Sequence, residues 1–269
     1  MKLEGKTAVI TGGGQGLGQG IAHCLAKEGA DVAVIDINGD NARRVAGEVK
    51  GLGRKSLAIK ADLTDDKKVT QAIQNIINTF DKVDILVNNV GGFGKALLAK
   101  TSLEFTDLEE VEWDENYKLN LKTQILVSRA VAPYFMKQKS GKIVNIASIA
   151  GKVPYAEEMP YGTMKASVIF FTKLLATELG EYNINVNCVC PGEIYTPLWE
   201  KIAIQTIQLS PEFKGITPKE YFLDRVSHTP LKRGQTPEDI GHAVAFLVSE
   251  DAKNITGQSL NVDSGESMN

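Results

Sequence analysis

The chain has 269 residues, of which 43% are hydrophobic, so it can bury a substantial core and is near the upper size of a single domain. Its 30 basic and 33 acidic residues are spread along the sequence and give a formal net charge of −3, which leaves no basic stripe for nucleic acid or an anionic membrane. No apolar run approaches the roughly 18 to 20 residues that span a bilayer. Residues 1–4 lead directly into a predicted strand instead of a signal peptide. We therefore expect a cytoplasmic protein whose partners are small molecules.

Short apolar runs rich in β-branched residues alternate with longer amphipathic stretches along the chain. The predicted strands are, in chain order, Thr7–Thr11, Val32–Asp36, Ser56–Lys60, Val83–Val87, Lys142–Ala147, Ile184–Cys190 and Ser259–Val262. The predicted helices begin near Gly16, Asp40 and Asp65, and two longer helical regions end at Met136 and Glu181. Strands this apolar, separated by helix-length segments, imply a mostly parallel sheet with helices on both faces, because right-handed crossovers place helices on each side. The predicted fold class is therefore α/β, a doubly wound (Rossmann-type), seven-stranded sheet.

A glycine-rich turn follows the first predicted strand and precedes the first helix. Residues 11–18 read Thr-Gly-Gly-Gly-Gln-Gly-Leu-Gly, which fits the spacing Thr-Gly-x-x-x-Gly-x-Gly and contains no Gly-x-Gly-x-x-Gly. Glycine lets the backbone turn sharply and approach a pyrophosphate, whose negative charge is favoured at a helix N-terminus. In a βαβ unit this turn predicts a dinucleotide site, and a simple tight connection is the alternative interpretation.

Asp36 ends the second predicted strand, 18 residues after Gly18. A carboxylate at this place can accept hydrogen bonds from the adenosine ribose hydroxyls, and it would repel a 2′-phosphate. The neighbouring positions hold Gln15 and Ile37 instead of a cation, and Arg43 and Arg44 are read as the solvated face of the next helix. The sequence therefore predicts NAD as the cofactor.

Tyr161 and Lys165 are four residues apart in a predicted helix, which places both side chains on one face. A free tyrosine has a pKa of roughly 10, so stabilising its phenolate near neutral pH requires on the order of 4 kcal/mol. A nearby ammonium, together with a positively charged nicotinamide, can supply that stabilisation in a partly desolvated cleft. The pair predicts an acid–base tyrosine with an electrostatic partner, although the same spacing also occurs by chance in surface helices.

No repeat, low-complexity tract or Pro/Gly/Ser-rich linker divides residues 1–269, so a single domain is expected. Between Thr196 and Gln235 the strand–helix alternation gives way to short helical pieces broken by proline and glycine. Because ligands of such sheets bind outside the carboxyl ends of the strands, we expect residues 196–235 to form a substrate lid, with surface decoration as the alternative. Three cysteines and three histidines lack disulfide or ligand spacing, which predicts buried structural thiols and no metal site.

Further motifs accompany the glycine turn and the Tyr161/Lys165 pair. In their order and spacing, over nearly the whole chain, they resemble the motifs of the short-chain dehydrogenases/reductases. These motifs are Asp62-Leu63, Asn88-Asn89-Val90-Gly91, Asn120, Ser148, and Pro191-Gly192 followed by Ile194 and Thr196. The resemblance implies a catalytic tetrad of Asn120, Ser148, Tyr161 and Lys165. It also implies cofactor-binding roles for Gly12, Gln15, Gly16, Leu17, Gly18, Asp36, Asp62, Leu63, Asn88, Tyr161, Lys165, Pro191, Ile194 and Thr196. A homotetramer is expected on the same ground.

Each residue of the tetrad has its own role in this family. The resemblance implies that Ser148 orients the substrate oxygen and Tyr161 exchanges its proton. Lys165 would bind the nicotinamide ribose, and Asn120 would hold a water that connects Lys165 with solvent. Asn88 would support the adenosine side of the cofactor. These roles imply hydride transfer without a metal or a covalent intermediate.

The substrate is less well determined. Phe93, Val153, Met159 and Trp199 favour an apolar body, whereas Glu157, Glu158 and Glu193 are expected to recognise hydroxyls or repel acids. We expect a small or medium secondary alcohol, diol or polyol. The alternatives are a hydroxyacyl thioester dehydrogenase or 3-oxoacyl reductase, a dehydrogenase of a steroid or aromatic alcohol, and a catalytically idle nucleotide-binding subunit. The segment 92–112 is longer than usual for the family and either borders the substrate entrance or forms a surface loop.

Overall fold

The computed structural model describes residues 1–268 and contains a seven-stranded sheet in which every strand pair is parallel. The strands are β1 Thr7–Thr11, β2 Asp31–Asp36, β3 Ser56–Lys60, β4 Ile85–Asn88, β5 Gly141–Ile146, β6 Ile184–Pro191 and β7 Ser259–Val262. Their spatial order is β3-β2-β1-β4-β5-β6-β7. All seven predicted strands are confirmed, with ends that shift by up to two residues, and so is the doubly wound fold class.

Ten α-helices connect and flank these strands in the described part of the chain. They are α1 Gly16–Lys27, α2 Gly39–Gly51, α3 Asp66–Phe80, α4 Lys95–Leu98, α5 Glu110–Asn116, α6 Thr123–Gln138, α7 Met159–Leu179, α8 Pro197–Leu209, α9 Pro218–Ser227 and α10 Pro237–Val248. Polar residues determine several helix starts: the side chains of Asn38 and Asp65 accept hydrogen bonds from backbone amides of the first turns of α2 and α3. Such caps satisfy amide groups that have no partner within the helix.

The sheet separates two apolar layers because successive side chains of a strand point to opposite faces. In β1, Ala8 and Ile10 pack with α1, α2 and α10, whereas Val9 packs on the opposite face with α3 and α6. Both layers are formed by buried aliphatic residues. This arrangement leaves the carboxyl ends of the central strands as the natural edge for a binding site.

The helical region predicted to end at Met136 is not one continuous helix. It consists of α5, a π-helical stretch at Tyr117–Lys122, and α6, which ends at Gln138. The end of α6 is set by Lys139, which adopts φ +51° and donates its backbone N–H to the carbonyl of Met136, the geometry of a left-handed C-cap. The π-helical stretch is a common feature of functional sites.

The three cysteines are free and buried, as predicted. Cys188 and Cys190 share one face of β6, with their Sγ atoms 3.6 Å apart. Within residues 1–268, none of the helices has both the length and the apolar character needed to cross a membrane.

Candidate active site

A cavity of about 500 Å³ opens at the carboxyl ends of the central strands. Most of the residues predicted to be catalytic or to bind the cofactor line it. They are Gly12, Gln15, Gly16, Leu17, Asp36, Asp62, Leu63, Ser148, Tyr161, Lys165, Pro191, Ile194 and Thr196. Of these predicted residues, Gly18, Asn88 and Asn120 do not line the cavity. Of the residues expected around the substrate, Trp199 lines it, whereas Phe93, Val153, Glu157, Glu158, Met159 and Glu193 do not.

The glycine turn between β1 and α1 depends on two different properties of glycine. Gly12 and Gly16 have φ values of +60° and +54°, which a residue with a side chain rarely adopts. Gly18 is required for close packing, since a Cβ there would lie 2.2 Å from the carbonyl oxygen of Gly12. The absence of a side chain at Gly18 therefore allows α1 to pack closely against the turn.

The carboxylate of Asp36 is fixed at the end of β2 by backbone amides. Gly14 and Asn38 each donate their N–H to one of its two oxygens at 2.9 Å. Arg44, predicted as part of a solvated face, reaches back from α2 and donates to the Gly14 carbonyl at 2.8 Å while pairing with Glu48. The end of the cavity beside the glycine turn therefore has a rigidly held carboxylate on its wall.

Tyr161 and Lys165 lie on the first turns of α7 and face the same cavity. The Lys165 Nζ is 5.4 Å from the centre of the Tyr161 ring and donates to the carbonyl of Ile146 at 3.0 Å. Lys165 is only 3% exposed, and burial lowers its pKa to about 8. Ser148, at the end of β5, is close enough to lower the pKa of the Tyr161 phenol through a hydrogen bond.

The Tyr161 phenol has a raised pKa in this structure. Burial is the largest cause, and the negative charge of Glu158 adds to it, which outweighs the hydrogen bond of Ser148. The ring of Phe93 stacks on the Tyr161 ring with centroids 4.7 Å apart. The lowering of the phenol pKa that the sequence predicts from Lys165 therefore does not compensate for burial.

Asn120 lies in the π-helical stretch and holds the backbone that follows β4. Its side chain donates to the carbonyl of Gly92 and accepts from the N–H of Gly92, both at 2.8 Å. A Cβ on Gly91 would lie 2.8 Å from the Lys165 Nζ and 2.9 Å from the Asn120 Oδ1. Asn120 and Lys165 are therefore neighbours across Gly91, although Asn120 does not reach the cavity surface.

The asparagine pair at the end of β4 has one buried side chain and one that lines the cavity. Asn88, predicted to support the cofactor, is fully buried and donates to Ser128 and Asn145 at 2.9 Å. Asn89 lines the cavity instead, and its side chain donates to the carbonyls of Thr11 and Gly12 at 3.0 Å. Because neighbouring side chains of a strand point to opposite sides, only one of the two can face the cavity, and the sequence does not say which.

The cavity is closed on one side by α8, within the segment predicted to be a lid. Leu198, Trp199 and Ile202 line it. The side chain of Gln205 donates to the carbonyls of Leu97 and Lys100 at 2.7 and 3.1 Å. The segment 92–112 is therefore joined to α8 by hydrogen bonds and is not an isolated surface loop.

The carboxylate of Glu193 binds two other side chains of the protein. One of its oxygens accepts from the Trp199 indole at 2.6 Å, and the other accepts from Arg225 at 2.9 and 2.7 Å. The side chain is buried, so it links β6 to α8 and α9. The predicted role in recognising substrate hydroxyls does not fit Glu193, because its oxygens already have partners.

Residues 6–206 match the family model described as short chain dehydrogenase. The match covers more than half of the chain and includes both the glycine turn and the tetrad residues. The chain belongs to the short-chain dehydrogenase family. The predicted resemblance is thereby confirmed, and the protein is an oxidoreductase of a family that binds nicotinamide cofactors.

Relatives of this short-chain dehydrogenase differ in their named activities. The 2,3-dihydro-2,3-dihydroxybenzoate dehydrogenase of Bacillus subtilis is 37% identical over 99% of this chain and 97% of that protein. The 3-oxoacyl-(acyl-carrier-protein) reductase FabG of Thermotoga maritima is 34% identical over 98% of this chain and 99% of that protein. A crystal structure of NAD+-bound xylitol dehydrogenase superimposes with a TM-score of 0.90 at 27% identity, covering 98% of this chain and 100% of the other.

Gly18→Ala tests whether the turn of this short-chain dehydrogenase depends on close packing. The added Cβ would displace the Gly12 carbonyl, and we expect NADH affinity to fall by about tenfold or more in a fluorescence titration. Gly47→Ala, whose Cβ meets nothing within 4 Å, is the matched control and should bind normally. Unchanged affinity in folded Gly18→Ala would show that the turn tolerates the side chain.

Proposed function

We propose that this short-chain dehydrogenase transfers a hydride between NAD(H) and a secondary alcohol or its ketone, with a small or medium alcohol, diol or polyol as substrate. The observation that supports it most is that one cavity has Asp36 on its wall at one end and Ser148, Tyr161 and Lys165 at the other. A dinucleotide with its adenosine near the glycine turn would place its nicotinamide near Tyr161. The bound cofactor would supply the hydride acceptor or donor.

The residues at the adenosine end fit NAD. This end of the cavity is lined by Gly12, Gly16 and the carboxylate of Asp36, which accepts a backbone N–H from Gly14. The backbone lies close to that carboxylate, since a Cβ on Gly14 would lie 2.7 Å from the Asp36 Oδ2. Because the carboxylate retains free lone pairs, it can accept hydrogen bonds from ribose hydroxyls. A 2′-phosphate would be repelled there. Asp62, Leu63 and Ile194 complete the wall on either side.

The proton is moved by Tyr161. In alcohol oxidation the Tyr161 oxygen accepts the proton of the substrate hydroxyl while Ser148 orients the substrate oxygen by a hydrogen bond. Lys165, when protonated, stabilises the phenolate electrostatically and is held by the Ile146 carbonyl. Asn120 fixes the backbone beside Lys165 through Gly92, so it acts as a positioning residue. In ketone reduction the same proton moves in the opposite direction.

A second candidate function is the reduction of a 3-oxoacyl thioester, which the relationship with the Thermotoga maritima reductase supports. The acidic residues near Tyr161 disfavour it, because Glu157 and Glu158 would repel a phosphate-bearing carrier. Comparing kcat/KM for acetoacetyl-CoA with that for simple ketones separates the two candidates. A clear preference for the thioester would favour the second.

Tyr161→Phe tests the proposed reaction. Removing the acid–base hydroxyl should lower kcat by about 100-fold or more, while NADH binding measured by fluorescence stays close to that of the wild type. Tyr182→Phe, near the protein surface, is the matched control and should retain full activity. Equal turnover by Tyr161→Phe and the wild type would contradict this mechanism, whereas loss of NADH binding would indicate a structural role for the hydroxyl.

The cofactor preference is tested by initial rates with NADH and NADPH. We expect NADH to be preferred by about 100-fold or more in kcat/KM, because Asp36 repels the 2′-phosphate. Asp36→Asn keeps an acceptor oxygen and removes the charge, so the preference should fall by about tenfold or more. Asp40→Asn, an exposed neighbour paired with Arg43, should leave it unchanged. A wild type that prefers NADPH would overturn the NAD proposal.

We also propose that the protein is a homotetramer, as the family resemblance implies. The α7 helix exposes 61% of Phe170 and 55% of Leu174, and apolar side chains exposed on one helix are typical of contact faces. Light scattering of the purified protein should give four times the mass of the 29.2 kDa chain. A monomer mass at micromolar concentration would contradict the proposal.

A further inference from the structure

Helix α8 presents two aliphatic side chains to the cavity. Leu198 and Ile202 both line it, and their spacing of four residues places them on one face of the helix. A Cβ on Gly92 would lie 2.7 Å from the Leu198 Cδ2. A Cβ on the preceding Gly91 would lie 2.8 Å from the Lys165 Nζ. Leu198 is therefore close to the end of the cavity that Lys165 lines.

Trp199 adds an aromatic ring to this surface. It lines the cavity, and its indole N–H is already bound by Glu193 at 2.6 Å. The ring of Phe222 packs edge-on against it, with the centroids 5.0 Å apart. Because its donor is occupied, Trp199 offers only its ring to a substrate. We call Leu198, Trp199 and Ile202 the apolar wall.

The apolar wall is fixed near both ends of α8. Its first turn is held by the bond between the Trp199 indole and the buried carboxylate of Glu193. Its last turn is held by Gln205, which is buried and donates to the carbonyls of Leu97 and Lys100 at 2.7 and 3.1 Å. A surface that is already ordered loses little conformational freedom when a ligand packs on it.

The charged groups of the cavity are mostly distant from this wall. Of the described residues that line the cavity, only Asp36, Asp62 and Lys165 carry a charge. The two carboxylates follow β2 and β3, whereas Ser148 follows β5, and both β1 and β4 lie between β2 and β5. At about 4.8 Å per strand, Asp36 is roughly 14 Å from the end of β5. Neither carboxylate therefore reaches a substrate group beside Tyr161.

The other polar groups at this end already have partners in the protein. Thr123 is buried, and its hydroxyl donates to the carbonyl of Leu119 at 2.8 Å. The N–H and the carbonyl of Gly92 are both bound by Asn120. The two hydroxyl groups of the proposed reaction are needed for the reacting oxygen. A further hydroxyl on the substrate would lose its water partners here and find no carboxylate to replace them.

We propose that the apolar wall selects a secondary alcohol, or its ketone, whose remaining carbon atoms are aliphatic or alicyclic and carry no second hydroxyl. The inference rests on the proposed function, in which Tyr161 and Ser148 bind the oxygen of the reacting carbon. A substrate held there packs the rest of its carbon chain on Leu198, Trp199 and Ile202. Within the range of the proposed function, this favours simple alcohols over diols and polyols.

Three alcohols with the same methyl carbinol test this substrate class: 2-butanol, 2-hexanol and 1,5-hexanediol. With NAD, wild-type kcat/KM should be about tenfold higher for 2-hexanol than for 2-butanol, because two more methylene groups are buried. The diol differs from 2-hexanol only by a hydroxyl at the far end of the chain. It should be the poorer substrate of the two by about tenfold or more, because that hydroxyl would be buried without a partner.

Ile202→Thr tests the apolar wall itself. The variant keeps a β-branched side chain but shortens it and places a hydroxyl on the wall. The ratio of kcat/KM for 2-hexanol to that for 2-butanol should fall by about threefold or more, and so should the ratio for 2-hexanol to that for 1,5-hexanediol. Loss of structure alone would lower the rates with all three alcohols and leave both ratios unchanged.

Ile204→Thr is the matched control, because Ile204 lies in the same helix, is 42% exposed and does not line the cavity. It should keep both wild-type ratios. Thermal unfolding of the two variants checks that they fold. If Ile202→Thr does not fold, the wild-type series with the three alcohols still decides the question.

A wild type that uses 1,5-hexanediol as well as 2-hexanol, or that gains nothing from the longer chain, would overturn the inference. Unchanged ratios in folded Ile202→Thr would overturn the role of the apolar wall. A wild type that oxidises sorbitol but none of the three alcohols would also overturn the inference, and the proposed dehydrogenase activity would stand. Oxidation of none of these four compounds, with NAD or NADP, would contradict the proposed function itself.

Discussion

The hydrogen bonds of Asn89 to the end of β1 join the two halves of the sheet at the place where the strand order reverses. Its side chain satisfies the carbonyls of Thr11 and Gly12, and its backbone N–H donates to the Thr11 hydroxyl at 2.9 Å. Carbonyls left without partners in this interior would be costly. The position of Gly12 then determines where Gly18 and α1 pack, so the cavity owes its shape to this junction.

The end of the cavity at Tyr161 and Lys165 is built from groups whose charged forms are disfavoured by burial. Lys165 is almost completely enclosed and has a lowered pKa, whereas the pKa of Tyr161 is raised. Their positions are nevertheless fixed, because Lys165 is bound by the Ile146 carbonyl and the neighbouring backbone is held by Asn120. The apolar layers on both faces of the sheet provide the stability that permits such a site. Perturbed pKa values are typical of functional sites for this reason.

The acidic residues Glu157, Glu158 and Glu193 differ in their environments, although the sequence alone gives no reason to distinguish them. Glu193 is a structural link, since Trp199 and Arg225 occupy both of its oxygens. Glu157 is exposed at the surface, whereas Glu158 is partly buried and its negative charge raises the pKa of the Tyr161 phenol. The contact of Gln205 with the segment 92–112 fixes α8 on the opposite wall.

The sequence by itself determined the order of strands and helices, because the periodicity of apolar residues and the position of glycine follow from local backbone geometry. Its motif spacing also identified the family, and most of the catalytic and cofactor-binding residues that it predicted line the cavity, including Asp36, Tyr161 and Lys165. Only the tertiary structure decided between Asn88 and Asn89, since the direction of a side chain at a strand end depends on the neighbouring strands. It also showed that Glu193 is a structural link, because Arg225, which binds one of its oxygens, lies in α9 and is distant in sequence.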